Sequence, residues 1–187
     1  MKQVLKYIYS VLTENVKFAE SKHSILIALN GVLVVFISGY LSKPKVLIKF
    51  LTCVIIVFAI LSLFFNFLAL LSRKIRYRRN INIKKDGLNL IYYKHIINFS
   101  YEQYLEEVKK YYNFPDDYQF DGLDYDLSKQ IIAISDVTNI KFTYFNISLI
   151  FLFIELMLTI LNVALVGLMA WQKPKSFTEI LFVGLMA

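Results

Sequence analysis

Three apolar runs, Ile25–Leu41, Val46–Leu71 and Ile147–Trp171, constrain this chain more than any other feature. Each is long enough to cross, or nearly cross, a hydrocarbon core about 30 Å thick, which takes roughly 17–25 helical residues. Only Ser42-Lys43-Pro44-Lys45 separates the first two, so they must turn straight back as a helical hairpin. Hydrophobic residues fill 57% of the 187 positions, too many for an ordinary soluble domain. The pattern predicts an integral membrane protein with one small polar module between its second and third spans.

The predicted fold is mainly α. Residues 1–24 place Val4, Leu5, Ile8, Val11, Leu12 and Val16 close to a helical period, so they read as an amphipathic helix. No Pro or Gly interrupts it before Gly31, so it runs straight into the first span. Its charges and the lack of a small-residue cleavage pattern argue against a signal peptide. The expected division is then 25–72 for the transmembrane hairpin and 73–145 for a cytoplasmic module with a basic collar. A third span, 146–171, and a short tail, 172–187, complete it.

Within the module, alternation around Asp86-Gly87 suggests a short β-hairpin, Arg79–Ile83 with Leu88–Tyr92. Ser100 with Gln103 has the spacing of a capping box, and Pro115 ends the helix that Ser100 opens. From Leu123 or Asp124 onward, Leu127, Ile131, Ile134, Val137 and Phe142 predict one long helix reaching Trp171. Movement in the module would then be transmitted directly into the membrane.

The net charge of +7 is unevenly placed. Arg73, Lys74, Arg76, Arg78 and Arg79 form a collar at the end of the second span, whereas residues 80–145 hold seven lysines against ten acids. That distribution reads as a membrane-surface anchor, with a phosphate-binding patch as the alternative, and not as a nucleic-acid surface. By the excess of Lys and Arg, the amino terminus and the module lie in the cytoplasm and the carboxyl terminus outside.

No enzymatic constellation is visible: no P-loop, no glycine-rich nucleotide fingerprint, no nucleophile with its base. The single cysteine, Cys53, lies within the second run, and His23 and His95 have no ligand spacing, so no disulfide, metal or cofactor is expected. Polar residues inside the spans are more informative. Asn30 and Asn66 fall roughly 9 Å beyond the cytoplasmic boundary, and Glu155 roughly 13–14 Å, at 1.5 Å per residue. Two readings of this polar layer stand together: hydrogen-bonded glue with Glu155 protonated, or the lining of a water defect that opens on activation. Glu20, Lys22 and Lys141 fall at the same boundary. Glu20 and Lys22 cannot share a helix face, so one is free to pair with Lys141 or Asp136.

Two segments together resemble the transmembrane effectors of Pycsar anti-phage systems. Ala19-Glu20-Ser21-Lys22-His23-Ser24-Ile25-Leu26-Ile27-Ala28-Leu29-Asn30 is similar to a segment that enters the first span in that family. Tyr92-Tyr93-Lys94-His95-Ile96, then Tyr101–Tyr104, then Leu127-Ser128 with Lys141 resemble the family's order leading into its last span. The tail departs from it: Val166-Gly167-Leu168-Met169-Ala170 recurs as Val183–Ala187, a duplication without a physical explanation.

The resemblance implies an effector in the bacterial inner membrane that binds a cyclic mononucleotide, cyclic CMP or cyclic UMP, made by a separate cyclase. The effector, expected as a homo-oligomer, then impairs the lipid bilayer. Such a ligand needs a cation or amides for its phosphate and an aromatic face for its base. The candidates are Lys22, Tyr93, Lys94, His95, Tyr104, Lys129 and Lys141. A non-catalytic membrane anchor that docks a protein partner, and a constitutive holin-like channel, are the alternatives.

Overall fold

The computed structural model describes residues 1–71 and 88–171, and every regular element among them is helical. Helix α1, Lys2–Ser38, runs 37 residues without a break, so the expected division after residue 24 falls inside a continuous helix. A short 3-10 turn, Gly39–Ser42, ends it, and Pro44 precedes α2, Val46–Leu71. After two short helices, α3 (Tyr93–Ile96) and α4 (Tyr101–Tyr111), the 50-residue α5 spans Gly122–Trp171. At 1.5 Å per residue α5 is about 75 Å long, more than twice a hydrocarbon core. Helices α1, α2 and α5 are each long and apolar enough to cross a membrane.

These three helices pack as one bundle. On α2 the buried residues are Ile48, Thr52, Ile55, Ala59, Ser62, Asn66 and Ala69, alternating steps of four and three. That alternation is the seam of a coiled coil, in which a seven-residue repeat keeps one face toward its partners. The opposite faces carry exposed Val32, Val35, Phe50 and Ile60, the surface a lipid-facing bundle requires. Phe65 of α2 stacks on Phe151 of α5 with centroids 5.5 Å apart and planes 5° from parallel, adding an aromatic contact beside the seam.

Beyond the bundle the chain builds a lobe around its own core. Leu5, Ile8 and Leu12 from α1, Leu127 and Ile131 from α5, and Tyr104, Leu105 and Val108 from α4 are buried together with Leu90, Tyr93 and Ile96. Helix α4 begins with the capping box anticipated from its spacing. The Gln103 backbone donates to Ser100 Oγ, and the Ser100 backbone donates to Gln103 Oε1. It ends in a Schellman motif, with Phe114 N–H donating to the Lys109 carbonyl and Asn113 to that of Lys110. Asn113 holds the left-handed φ of 52° that this stop demands, and Pro115 follows.

Helix α5 is capped reciprocally by acids: Asp124 N–H donates to Asp121 Oδ1 and Asp121 N–H to Asp124 Oδ2. Lys2 pairs with Asp121 and so ties the start of α1 to the start of α5.

The expected β-hairpin needs correction. Its first arm, Arg79–Ile83, lies outside the described residues, as do the basic collar and residues 172–187. Its second arm, Leu88–Tyr92, is not a strand. Asn89 Oδ1 accepts from the backbone of Ile91 and Tyr92 and folds the segment into a turn that leads into α3. An Asx turn of this kind offers the backbone local partners and competes with extended pairing.

Two outcomes follow from this packing. Leu105→Ala empties a fully buried position of the lobe and should destabilise it by about 2–5 kcal/mol, read from thermal unfolding in detergent. The hydrogen bond that Lys2 donates holds the Asp121 carboxyl below its usual value, and the same bond raises the Lys2 ammonium. A depressed carboxylate stabilises above its unfolded value and loses that contribution as pH falls through the folded one. A raised lysine loses its contribution only on the alkaline side. The difference in melting temperature between wild type and Lys2→Ala should therefore shrink as pH drops below about 4.

Candidate functional site

The polar groups that sequence places near the membrane boundary converge where the lobe meets the bundle. Lys141 of α5 is only 3% exposed. Its Nζ donates to the Ala69 carbonyl in the last described turn of α2 at 3.1 Å and pairs with Glu20 of α1 at 3.2 Å. One buried ammonium thus joins all three long helices. A lysine so deep requires such partners, because an unpaired charge there would carry its full desolvation cost.

His23 sits beside it, fully buried, with Phe145 edge-on at 5.7 Å. Its Nδ1 faces Asn66 Oδ1 at 2.6 Å, and its Nε2 faces the Lys141 carbonyl at 3.0 Å. The Asn66 amide is held in that orientation because its Nδ2 donates to the Ser62 carbonyl at 3.0 Å and to Ser148 Oγ. Both ring nitrogens therefore face oxygens: an imidazolium donates to both at once, a neutral ring to one.

The network continues inward. The Ser62 and Ser148 hydroxyls lie 2.9 Å apart, each within reach of the other's carbonyl. Small hydroxyl residues at matching positions let α2 and α5 approach closely inside a bilayer. Asn30 Nδ2 donates to Ser62 Oγ at 3.1 Å and to the Leu26 carbonyl at 2.7 Å. Near the far end, Asn162 Nδ2 donates to Thr52 Oγ1 at 3.0 Å.

Asn30 and Asn66 are thus brought into one network through Ser62 and Ser148. Glu155 is not: it is fully buried farther along α5, and neither carboxyl oxygen has a partner among the described residues. The polar groups form a file along the bundle, not a single layer.

The candidate ligand residues divide between two places and the core. Lys22 Nζ lies over the rings of Phe18 at 4.4 Å, Phe145 at 5.1 Å and Phe142 at 5.6 Å, a cation held on aromatic faces. Tyr93 stacks on the same Phe142 at 5.5 Å, so Lys22 and Tyr93 share one aromatic cluster. Burial and neighbouring Tyr92 push the Tyr93 phenol up to about 12. Tyr104 is a fully buried core residue whose hydroxyl donates to the Leu90 carbonyl, and burial raises its phenol well above the usual range.

Lys94 is exposed beside half-buried His95, whose ring meets Tyr92 edge-on at 5.2 Å. Lys129 lies elsewhere, over Tyr101 at 5.3 Å and 3.8 Å from Asp126. Lys141 is fully engaged by Ala69 and Glu20. No group of three or more metal-ligating side chains occurs among the described residues.

Sequence reasoning passed over His23, Ser62, Ser148, Thr52 and Asn162. For all of them except Ser62 the signal is a seven-residue polar spacing: His23 and Asn30 on α1, Thr52 and Asn66 two steps apart on α2, and Lys141, Ser148, Glu155 and Asn162 on α5.

Three membrane-length helices with a buried polar file and an extramembrane helical lobe define a multi-pass helical membrane protein. The family model of the Pycsar effector protein domain, PycTM, matches residues 4–169, and the chain belongs to that family. Membership implies an anti-phage transmembrane effector and not a known enzyme family. No curated protein and no solved structure matches the chain.

Asn66 bonds to His23, Ser62 and Ser148 at once, so Asn66→Ala should lower stability by about 1–3 kcal/mol, measured by thermal unfolding in detergent. Val35→Ala, on the 75% exposed outer face, should change it little.

Proposed function

We propose that this effector is gated by a cyclic pyrimidine mononucleotide, cyclic CMP or cyclic UMP, and impairs the bacterial inner membrane when the ligand binds. Residues 1–24 and 73–145 act as the cytoplasmic sensor, and 25–72 with 146–171 as the barrier. The protein is not an enzyme; a separate cyclase supplies the signal, and copies of the chain act together as a homo-oligomer.

The observation that carries this reading is the makeup of the lobe's core. Leu5, Ile8 and Leu12 belong to α1, Leu127 and Ile131 to α5, and both helices run unbroken into the bundle. A ligand that repositions α3 and α4 therefore repositions the roots of two spans. It must bind the open arrangement better than the closed one, since equal affinity shifts nothing. Several sites in an oligomer supply that difference more readily than one, because moving from mostly closed to mostly open takes about 5.5 kcal/mol.

Lys94, with the adjoining His95 and Tyr92 rings, is an exposed combination of cation and aromatic faces suited to a nucleotide. Lys22 and Tyr93 couple that region to the bundle through Phe142, while Tyr104 and Lys141 hold the structure they move within. Lys129 is a second exposed cation on the lobe.

Isothermal titration of the purified full chain with each nucleotide tests the reading. Lys94→Ala should weaken binding roughly tenfold to a hundredfold, the cost of one charge-assisted hydrogen bond. Cells expressing wild type should depolarise only when nucleotide is supplied. An unchanged membrane potential with protein and nucleotide both present would sink the proposal.

A further inference from the structure

On α5, Lys141, Ser148, Glu155 and Asn162 follow one another at seven-residue intervals, and all four are buried. Seven residues return a helix nearly to the same side, so the four form a row directed into the bundle with a rise of about 10 Å per step. Lys141 and Ser148 have their partners, as described above. Farther along, the balance of donors and acceptors breaks down. Asn30 Oδ1, Asn162 Oδ1 and both carboxyl oxygens of Glu155 are buried with no hydrogen-bond partner among the described residues.

All four of these atoms are oxygens that accept. The donors of the same side chains are used: Asn30 Nδ2 by Leu26 and Ser62, and Asn162 Nδ2 by Thr52. Unmatched polar groups facing the inside of a membrane bundle are costly, and such groups characteristically serve a polar pathway. A pathway whose free groups are a carboxyl and amide oxygens offers ligands to cations and nothing to anions. The outer faces of the same helices are apolar, so the row is directed at the bundle axis and not at lipid.

We infer that in the nucleotide-activated state this row lines a path for small monovalent cations, with Glu155 as the charge that sets its selectivity. The inference rests on the gating reading above. In the closed bundle Glu155 is 0% exposed, and the packed helices shut the path around it. When the helices part, water reaches the group, and as a carboxylate it attracts cations and repels chloride. Thr159 adds no free donor at this level, because its hydroxyl is committed to the Glu155 carbonyl at 2.8 Å.

The test is the reversal potential of full-length protein in phosphatidylethanolamine–phosphatidylglycerol bilayers under a tenfold KCl gradient, with cyclic CMP or cyclic UMP added. Wild type should favour potassium over chloride by tenfold or more. Glu155→Gln should cut that ratio several-fold, and Glu155→Asp should restore it. A wild-type current that passes potassium and chloride equally overturns the inference while leaving nucleotide gating intact. So does a ratio that Glu155→Gln leaves unchanged. If neither nucleotide evokes any current in wild type, the gating reading is overturned, and this inference with it.

Discussion

Inside a hydrocarbon layer a polar side chain has no water to turn to, and the bundle is organised around that fact. His23, Asn66, Ser62, Ser148 and Lys141 satisfy one another across α1, α2 and α5. Apolar contacts alone would not choose a register, because one leucine-rich face packs on another, or on lipid, about equally well. The buried hydrogen bonds do choose: sliding α5 by one residue would strip Asn66 of Ser148 and Lys141 of Ala69. Placement of the lobe follows, since its core is built from the extensions of the same helices.

The boundary cluster and the inner file differ in kind. At the boundary the charges are compensated, with Lys141 on Glu20 and Lys22 on the faces of three phenylalanines. Farther in, Glu155 is left without a partner among the described residues. Natural proteins depart from full satisfaction of buried polar groups chiefly where function asks for it. The contrast separates the part of the molecule that holds the helices together from the part with reason to change.

Much of this fold was legible in the sequence because its signals are local. The three apolar runs, the Ser100–Gln103 cap and the continuity of α5 each rest on composition or spacing within one segment. The second arm of the supposed hairpin failed because Asn89 supplies the Ile91 and Tyr92 amides with a partner that alternation does not reveal.

For the site, common depth brought Glu20, Lys22, Lys141 and Asp136 together but left open which of them pair, and the structure pairs Lys141 with Glu20. The His23–Asn66 contact joins residues 43 positions apart and depends on how the hairpin closes. Depth counted from the ends of the runs set Asn30, Asn66 and Glu155 at similar levels. Inside the bundle the seven-residue repeat strings them out along its length.

The turn between α1 and α2 carries a mechanical consequence. Gly39–Ser42 winds tightly, and only Lys43, Pro44 and Lys45 precede α2, so the two helices are stapled together at the end remote from the lobe. A pair clamped at one tip opens like tweezers, widest at the free ends and barely at all at the clamp. Near that clamp the bundle widens only by the departure of α5, which breaks the bond between Asn162 and Thr52. That amide–hydroxyl contact fastens α5 to the hairpin near its closed end.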